Sequence, residues 1–190
     1  MRTLIGVAAL AAVISLVQGC AFLAAAGGIG ATALMVDDRR TTGMYIEDEN
    51  IEWKAIGRLR HGFEGAHVNA TSFNRRVLLT GEAPNEDAKK RLEETARAIE
   101  SVKEVINEVQ VAGASSLASR GNDALITSNV KARMLGNGKF SPNHVKVVTE
   151  AGVVYLLGLV SPAEGDAAVE IARTTSGVGH VVKVFEYISK

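Results

Sequence analysis

Cysteine is nearly missing from this chain: 190 residues contain one, Cys20. No intramolecular disulfide can form, and the fold has to be held by its apolar core. An excess of charge of one sign is missing too. Lysine and arginine total 21 against 21 aspartates and glutamates, whereas a nucleic-acid binder shows a basic patch or stripe; no nucleic acid is expected as a partner. Enzyme constellations are also lacking. Ser128-Asn129-Val130-Lys131 fits the S-x-x-K acylation motif, but its S-D-N and K-T-G companions do not occur. Gly27-Gly28-Ile29-Gly30 has no strand pattern before it and no Gly-Lys-Ser/Thr after it, which excludes a phosphate loop. His67 and His144 have neither paired cysteines nor a helical histidine spacing, too few ligands for a metal centre. No catalytic residue, no metal and no cofactor is expected, and the chain reads as non-enzymatic.

What the chain does have begins at its amino end. Met1-Arg2-Thr3 is a short positive start, Leu4 to Val17 is an almost unbroken apolar run, and Gly19 stands just before Cys20. This is the layout of a secretory signal peptide, and its ending, Leu16-Val17-Gln18-Gly19-Cys20, resembles the lipobox of bacterial lipoproteins. That resemblance implies a diacylglycerol on the Cys20 sulfur, removal of residues 1–19, and acylation of the new amino group by a fatty acid such as palmitate. Each buried methylene adds about 0.8 kcal/mol, so a triacylated cysteine is a lasting anchor. Ala21 stands where an Asp would resemble an inner-membrane retention signal, and the expected location is the outer membrane, facing the periplasm. The other reading keeps the leader, because Leu4 to Val36 is long enough to span a bilayer; the glycines at 27, 28 and 30 suit a tether better. Arg39 and Arg40 read as part of a solvated linker, with a lipid-headgroup contact as the alternative.

Beyond the tether the chain repeats itself. His67-Val68-Asn69-Ala70-Thr71 aligns with His144-Val145-Lys146-Val147-Val148, a spacing of 77 residues that carries on through Val77 to Gly81 and Val154 to Gly158. Each copy opens on an amphipathic helix. In the first it runs from Asp48 to about Arg60, with Ile51, Ala55, Ile56 and Leu59 on one face; in the second it starts at the N-cap types Asn122-Asp123 and stops at Gly136-Asn137-Gly138. Hairpins follow, 67–73 with 76–82 and 144–149 with 153–160, then helices at 85–100 and 163–175 entered through Pro84 and Pro162. Strands 104–111 and 180–188 close the copies. The apolar runs Val77-Leu78-Leu79 and Val153 to Leu157 predict central strands covered on both faces. Units this small are marginal alone, so each is expected to cover the other's exposed sheet face. Trp53 is expected to be partly buried.

One helix face stands out. At 100° per residue Ile126, Val130 and Met134 share the core side, while Leu125, Ser128, Asn129 and Ala132 lie opposite, flanked by Lys131 and Arg133. Such a face could enter a headgroup region while its cations meet phosphate; an ordinary solvated helix surface fits as well.

The two α-β-β-α-β repeats, each with a valine-rich strand ending in Gly and a later Ser-Val or Gly-Val before the final strand, resemble the BON domain. Together with the lipobox they are similar to the dual BON-domain outer-membrane lipoproteins of Gram-negative bacteria. The resemblance implies an α+β fold of two tandem domains, each with two helices and a three-stranded mixed sheet. The organisation is then a signal peptide at 1–19, a lipidated tether at 20–46, a first domain at 47–112, a linker at 113–121 and a second domain at 122–190. It further implies that the second domain binds an anionic phospholipid membrane through its first helix. The matching positions are Leu125, Ile126, Ser128, Asn129, Val130, Lys131, Ala132 and Arg133, with Leu125 standing where close relatives place a tryptophan. Charge points the same way: residues 122–190 carry 7 Lys plus Arg against 6 acids, residues 48–112 carry 10 against 12. The expected role is support of envelope integrity, with outer-membrane assembly or division-site proteins as partners. The alternative is a periplasmic scaffold or quality-control adaptor that binds an envelope protein.

Overall fold

The computed structural model describes residues 37–60 and 63–189; the leader, Cys20 and the tether up to residue 36 lie outside them. The first repeat comprises α1 (Thr42–Arg60), β1 (His67–Phe73), β2 (Arg76–Ala83), α2 (Glu86–Arg97), β3 (Glu104–Asn107) and β4 (Gln110–Val111). The second comprises α3 (Leu117–Leu135), a 3-10 turn at Pro142–His144, β5 (Val145–Glu150), β6 (Val153–Val160), α4 (Pro162–Arg173) and β7 (His180–Tyr187). The fold is α+β, with the element order read from the sequence.

In both repeats the second strand is central, antiparallel to the first and parallel to the last. The run expected at 104–111 is broken: Glu108 and Val109 interrupt it, and β4 resumes the parallel pairing on β2. The break turns Val109 fully into the core.

Each sheet buries one face under its own helices. Ile51, Ala55, Leu59, Leu92 and Ala96 pack on Val77 and Leu79 in the first repeat; Ile126, Val130, Met134, Ala168 and Ala172 pack on Val147, Val154 and Leu156 in the second. The opposite faces meet each other. Phe73 and Leu78 join Tyr155, Leu157 and Val184 in a third apolar cluster, so the layers run helices, sheet, sheet, helices. Because the central strands alternate between these clusters, Val77, Leu78 and Leu79 are all fully buried. Mutual covering of the two sheet faces is therefore present. Around its rim Asn69 donates to Glu150 at 2.9 Å, Lys146 pairs with Glu52 at 2.6 Å and Asn74 donates to Glu186 at 2.9 Å.

Several sequence expectations are corrected. The helix α1 starts at Thr42, inside the expected tether. The helix α3 starts at Leu117 with Ser116 as N-cap, so the expected linker at 113–121 is largely helical and Asn122-Asp123 lie within the helix. Asp123 is buried because its carboxylate accepts from the backbone N–H groups of Ala151 and Gly152 at 3.0 and 2.8 Å. His144 ends the 3-10 turn rather than opening a strand. Trp53 is 71% exposed and Ile56 39%; the face of α1 that packs inward includes Asp48 instead. Neither arginine of the lead-in is a solvated linker residue. The Arg40 side chain is 6% exposed, pairs with Asp48 at 2.8 Å and lies over the Phe73 ring at 4.1 Å. Arg39 grips both carboxylate oxygens of Glu164 at 2.7 and 2.8 Å and donates to the Leu159 carbonyl.

Candidate functional site

The nineteen residues of α3 contain one acid, and that acid is turned inward. Ile126, Val130 and Met134 are at most 2% exposed, anchored in the second repeat's core. Ile126 and Val130 thus leave the set of expected lipid-contact residues: a helix cannot offer the same side chains to its own sheet and to a membrane. The opposite side is uncharged along its length. Leu117, Leu125 and Leu135 are 83%, 65% and 75% exposed, and Gly121, Ala124, Ser128, Asn129 and Ala132 lie exposed between or beside them. Ser128 donates back to the Ala124 carbonyl at 2.9 Å, which satisfies its hydroxyl within the helix and leaves the stripe less polar than its composition implies.

The two flanking cations have different fates. Arg133 donates to the Ile171 carbonyl at 2.8 Å, to Thr175 Oγ1 at 2.6 Å and to Thr174 Oγ1 at 2.9 Å. It holds the carboxyl end of α4, where a cation complements the helix dipole, and is withdrawn from the role of a free lipid-reading charge. Lys131 makes no ion pair among the described residues and stands exposed at the edge of the stripe. The structure therefore keeps Leu125, Ser128, Asn129, Lys131 and Ala132 together on one outward face, and separates Ile126, Val130 and Arg133 from it.

Leu117 and Leu135 extend that face beyond the expected positions. They were legible in principle, since Leu117, Gly121, Leu125, Ser128, Ala132 and Leu135 keep steps of three and four residues, and Ser116 is a favourable N-cap type. The Gly, Ala and Ser content of 112–120 masked the pattern as a linker.

At its carboxyl end α3 borders a cleft of about 440 Å³ between the repeats, lined by Arg40, Glu49, Phe73, Lys131, Leu135 and Lys146 among others. The chain leaving α1 toward the amino terminus passes this cleft at Arg40 and is fixed to α4 at Arg39. Glu164, the residue that holds Arg39, has its carboxyl lowered from 4.5 to about 2, first by that hydrogen bond, against burial, and further by hydrogen bonds from Ser161. At the centre of the sheet-to-sheet contact, burial pushes the Tyr155 hydroxyl up from 10.0 to about 12, with Glu108 and Glu150 adding to it. Among the described residues no helix is long and apolar enough to cross a membrane.

Comparison with known proteins agrees with this architecture. Residues 48–113 and 122–189 each match the BON domain. The chain is 40% identical over 174 residues, 90% of each chain, to the outer membrane lipoprotein DolP of Haemophilus influenzae. It is 35% identical to the 21 kDa hemolysin of Actinobacillus pleuropneumoniae over 80% of this chain and 79% of that one. To the osmotically-inducible protein Y of Escherichia coli it is 28% identical, over 73% of this chain and 72% of that one. With both repeats matched and a relative so similar along nearly its whole length, the chain belongs to the BON domain family, of which it carries two copies in tandem.

Proposed function

We propose that this is a non-enzymatic outer-membrane lipoprotein, anchored through an acylated Cys20 and facing the periplasm, whose second BON domain reads anionic phospholipid through the outer face of α3 and so supports envelope integrity. The observation that carries the reading is the acid-free stripe from Leu117 to Leu135 with Lys131, which has no ion pair among the described residues, at its edge. Three exposed leucines on one helix are a large apolar surface for a protein in water. Set at a bilayer they enter the headgroup boundary, while a lysine gains about 1 kcal/mol from an anionic surface. Arg40, near the start of the described residues, lines the same cleft as Lys131 and Leu135. The similarity to a protein named an outer membrane lipoprotein supports the location.

Flotation with vesicles tests the reading. The soluble body should begin at residue 37, because a later start removes Arg39 and Arg40 from their partners. Binding is expected to phosphatidylglycerol-containing vesicles, weakened by salt, and to be near background on zwitterionic ones. Leu125→Glu with Lys131→Glu should lower binding roughly tenfold or more, since each exchanges an attractive contact for a repulsive one. Arg133 is left intact because its substitution would loosen α4. Equal binding to both vesicle types, or an unaffected double variant, would refute the assignment.

A further inference from the structure

The outer face of α1 carries a second exposed apolar stripe that the lipid reading does not use. We propose that it is a self-association surface, on which a second copy of this chain docks its own α1 in antiparallel orientation.

The stripe consists of Ile46, Asn50, Trp53 and Gly57. Their steps of four, three and four residues are the seam spacing of paired helices. Trp53 and Ile46 are 71% and 53% exposed. A tryptophan is the side chain most concentrated at interface centres, and here no core packing explains it. Gly57 lowers helix stability by about 1 kcal/mol relative to alanine. Among the described residues nothing asks for it, since a Cβ there would meet no atom within 4 Å. A bare backbone at that point leaves room for a large side chain from a neighbouring helix.

Antiparallel pairing about a two-fold axis between residues 51 and 52 sets Trp53 against Asn50 of the other copy and Ile46 against Gly57, large against small at each level. Parallel pairing would set Trp53 against Trp53 and Gly57 against Gly57, a clash beside a gap. The flanks agree with the antiparallel choice. Glu47 and Lys54 border the stripe on one side, and the two-fold axis brings each beside its opposite charge on the other copy. Both are now in loose, part-exposed pairs, Glu47 with Arg75 at 3.6 Å and Lys54 with Glu100 at 3.3 Å, and exchange of such pairs costs little. Glu47 and Glu49 beside the stripe are matched by Lys54 and Arg58 on the same helix, so this face offers an anionic membrane no net charge attraction. One helix from each side is a small contact beside a standard interface of about 1,600 Å², so the dimer should be weak and populated at high local concentration.

Disulfide trapping in the purified full chain tests this, with the parent protein reporting any background from Cys20. Copies carrying Ile46→Cys mixed with copies carrying Gly57→Cys should yield the mixed disulfide about tenfold above a Lys90→Cys control on the exposed side of α2, because the contact raises the local thiol concentration. Ile46→Cys alone should yield none, because its two copies would lie about 16 Å apart along the helix pair. Trp53→Glu in both copies, and independently Gly57→Arg in the copies that carry Ile46→Cys, each at an exposed position, should remove the mixed product while leaving the circular dichroism spectrum unchanged. A mixed yield equal to the control overturns the proposal, as does an Ile46→Cys product with itself. A blue shift of Trp53 emission on vesicles at protein densities too low for any cross-link also overturns it, by assigning this face to the bilayer.

Discussion

Two residue types recur at equivalent places in the repeats, and each solves a backbone problem. The hairpin turns Asn74-Arg75 and Ala151-Gly152 hold four consecutive left-handed positions in pairs, with φ between 50° and 75°, as a tight two-residue hairpin demands. Their N–H groups point inward and need acceptors. Asp48 and Asp123, both buried in the first helix of their repeats, supply the acceptors, and Asp48 additionally takes the Ser72 hydroxyl at 2.6 Å. A helix is thereby fastened to a turn by an acid where a hydrophobic residue would pattern better. The second type is glycine. A Cβ on Gly81 or Gly158 would come within 2.0 or 2.3 Å of the carbonyl oxygen of His67 or His144, so the twin histidines mark the points where the neighbouring antiparallel strand begins close against the central one. Gly158→Ala, at which nothing flexible can yield, is expected to destabilise the protein by about 2 kcal/mol or more, in the manner of other overpacked interiors, measurable by urea unfolding. A change below ~0.5 kcal/mol would contradict the close approach.

At the scale of elements, the lead-in before α1 behaves as a strap. Arg40 fastens it to the first repeat through Asp48 and Phe73, and Arg39 fastens it to the second through Glu164, which also completes the capping box of α4 with Ser161. The lowered carboxyl of Glu164 makes this strap acid-sensitive in a defined sense. A carboxylate whose folded-state value lies below its unfolded value adds stability above the unfolded value and loses it as pH falls through the folded one. The contribution should be complete above about 4.5 and lost on going down toward about 2. Glu164→Gln, or Arg39→Gln, should lower the melting temperature at neutral pH and flatten its decline across that window. A decline of unchanged steepness would show that other groups carry it. The same scale explains α3: its N-cap and two extra amino-terminal turns place Leu117 in line with Leu125 and Leu135, and the proposed lipid face depends on that extension.

The whole molecule is held by a face neither repeat could leave in water. Tyr155, Leu157 and Val184 on one side and Phe73 and Leu78 on the other are buried only as a pair. Residues 113–190 expressed alone would expose their half. That fragment should melt below the intact body and bind a hydrophobic dye. An equal melting temperature by calorimetry would mean that the contact between the sheets adds nothing. The layer order also sends the outer faces of α1 and α3 to opposite helix layers, which allows one molecule to present a lipid-directed surface and a separate self-association surface.

Periodicity and duplication determined the repeat, the two hairpins, the central strands and the helix that carries Leu125 and Lys131, because those features are set by side chains within a few residues of one another. The doubly apolar run Val77-Leu78-Leu79 even announced that both faces of its sheet would be covered. Tertiary structure decided what depends on distant partners. Arg39, Arg40 and Arg133 look like free cations along the chain and are spent on Glu164, Asp48 and the end of α4, residues that sequence distance keeps apart. Trp53 looks like packing and is exposed, because Asp48, held by a hairpin turn, fixes which side of α1 faces inward. Once that rotation and its counterpart in α3 are set by the buried carboxylates, the outward residues follow, and with them the surfaces through which this protein can act.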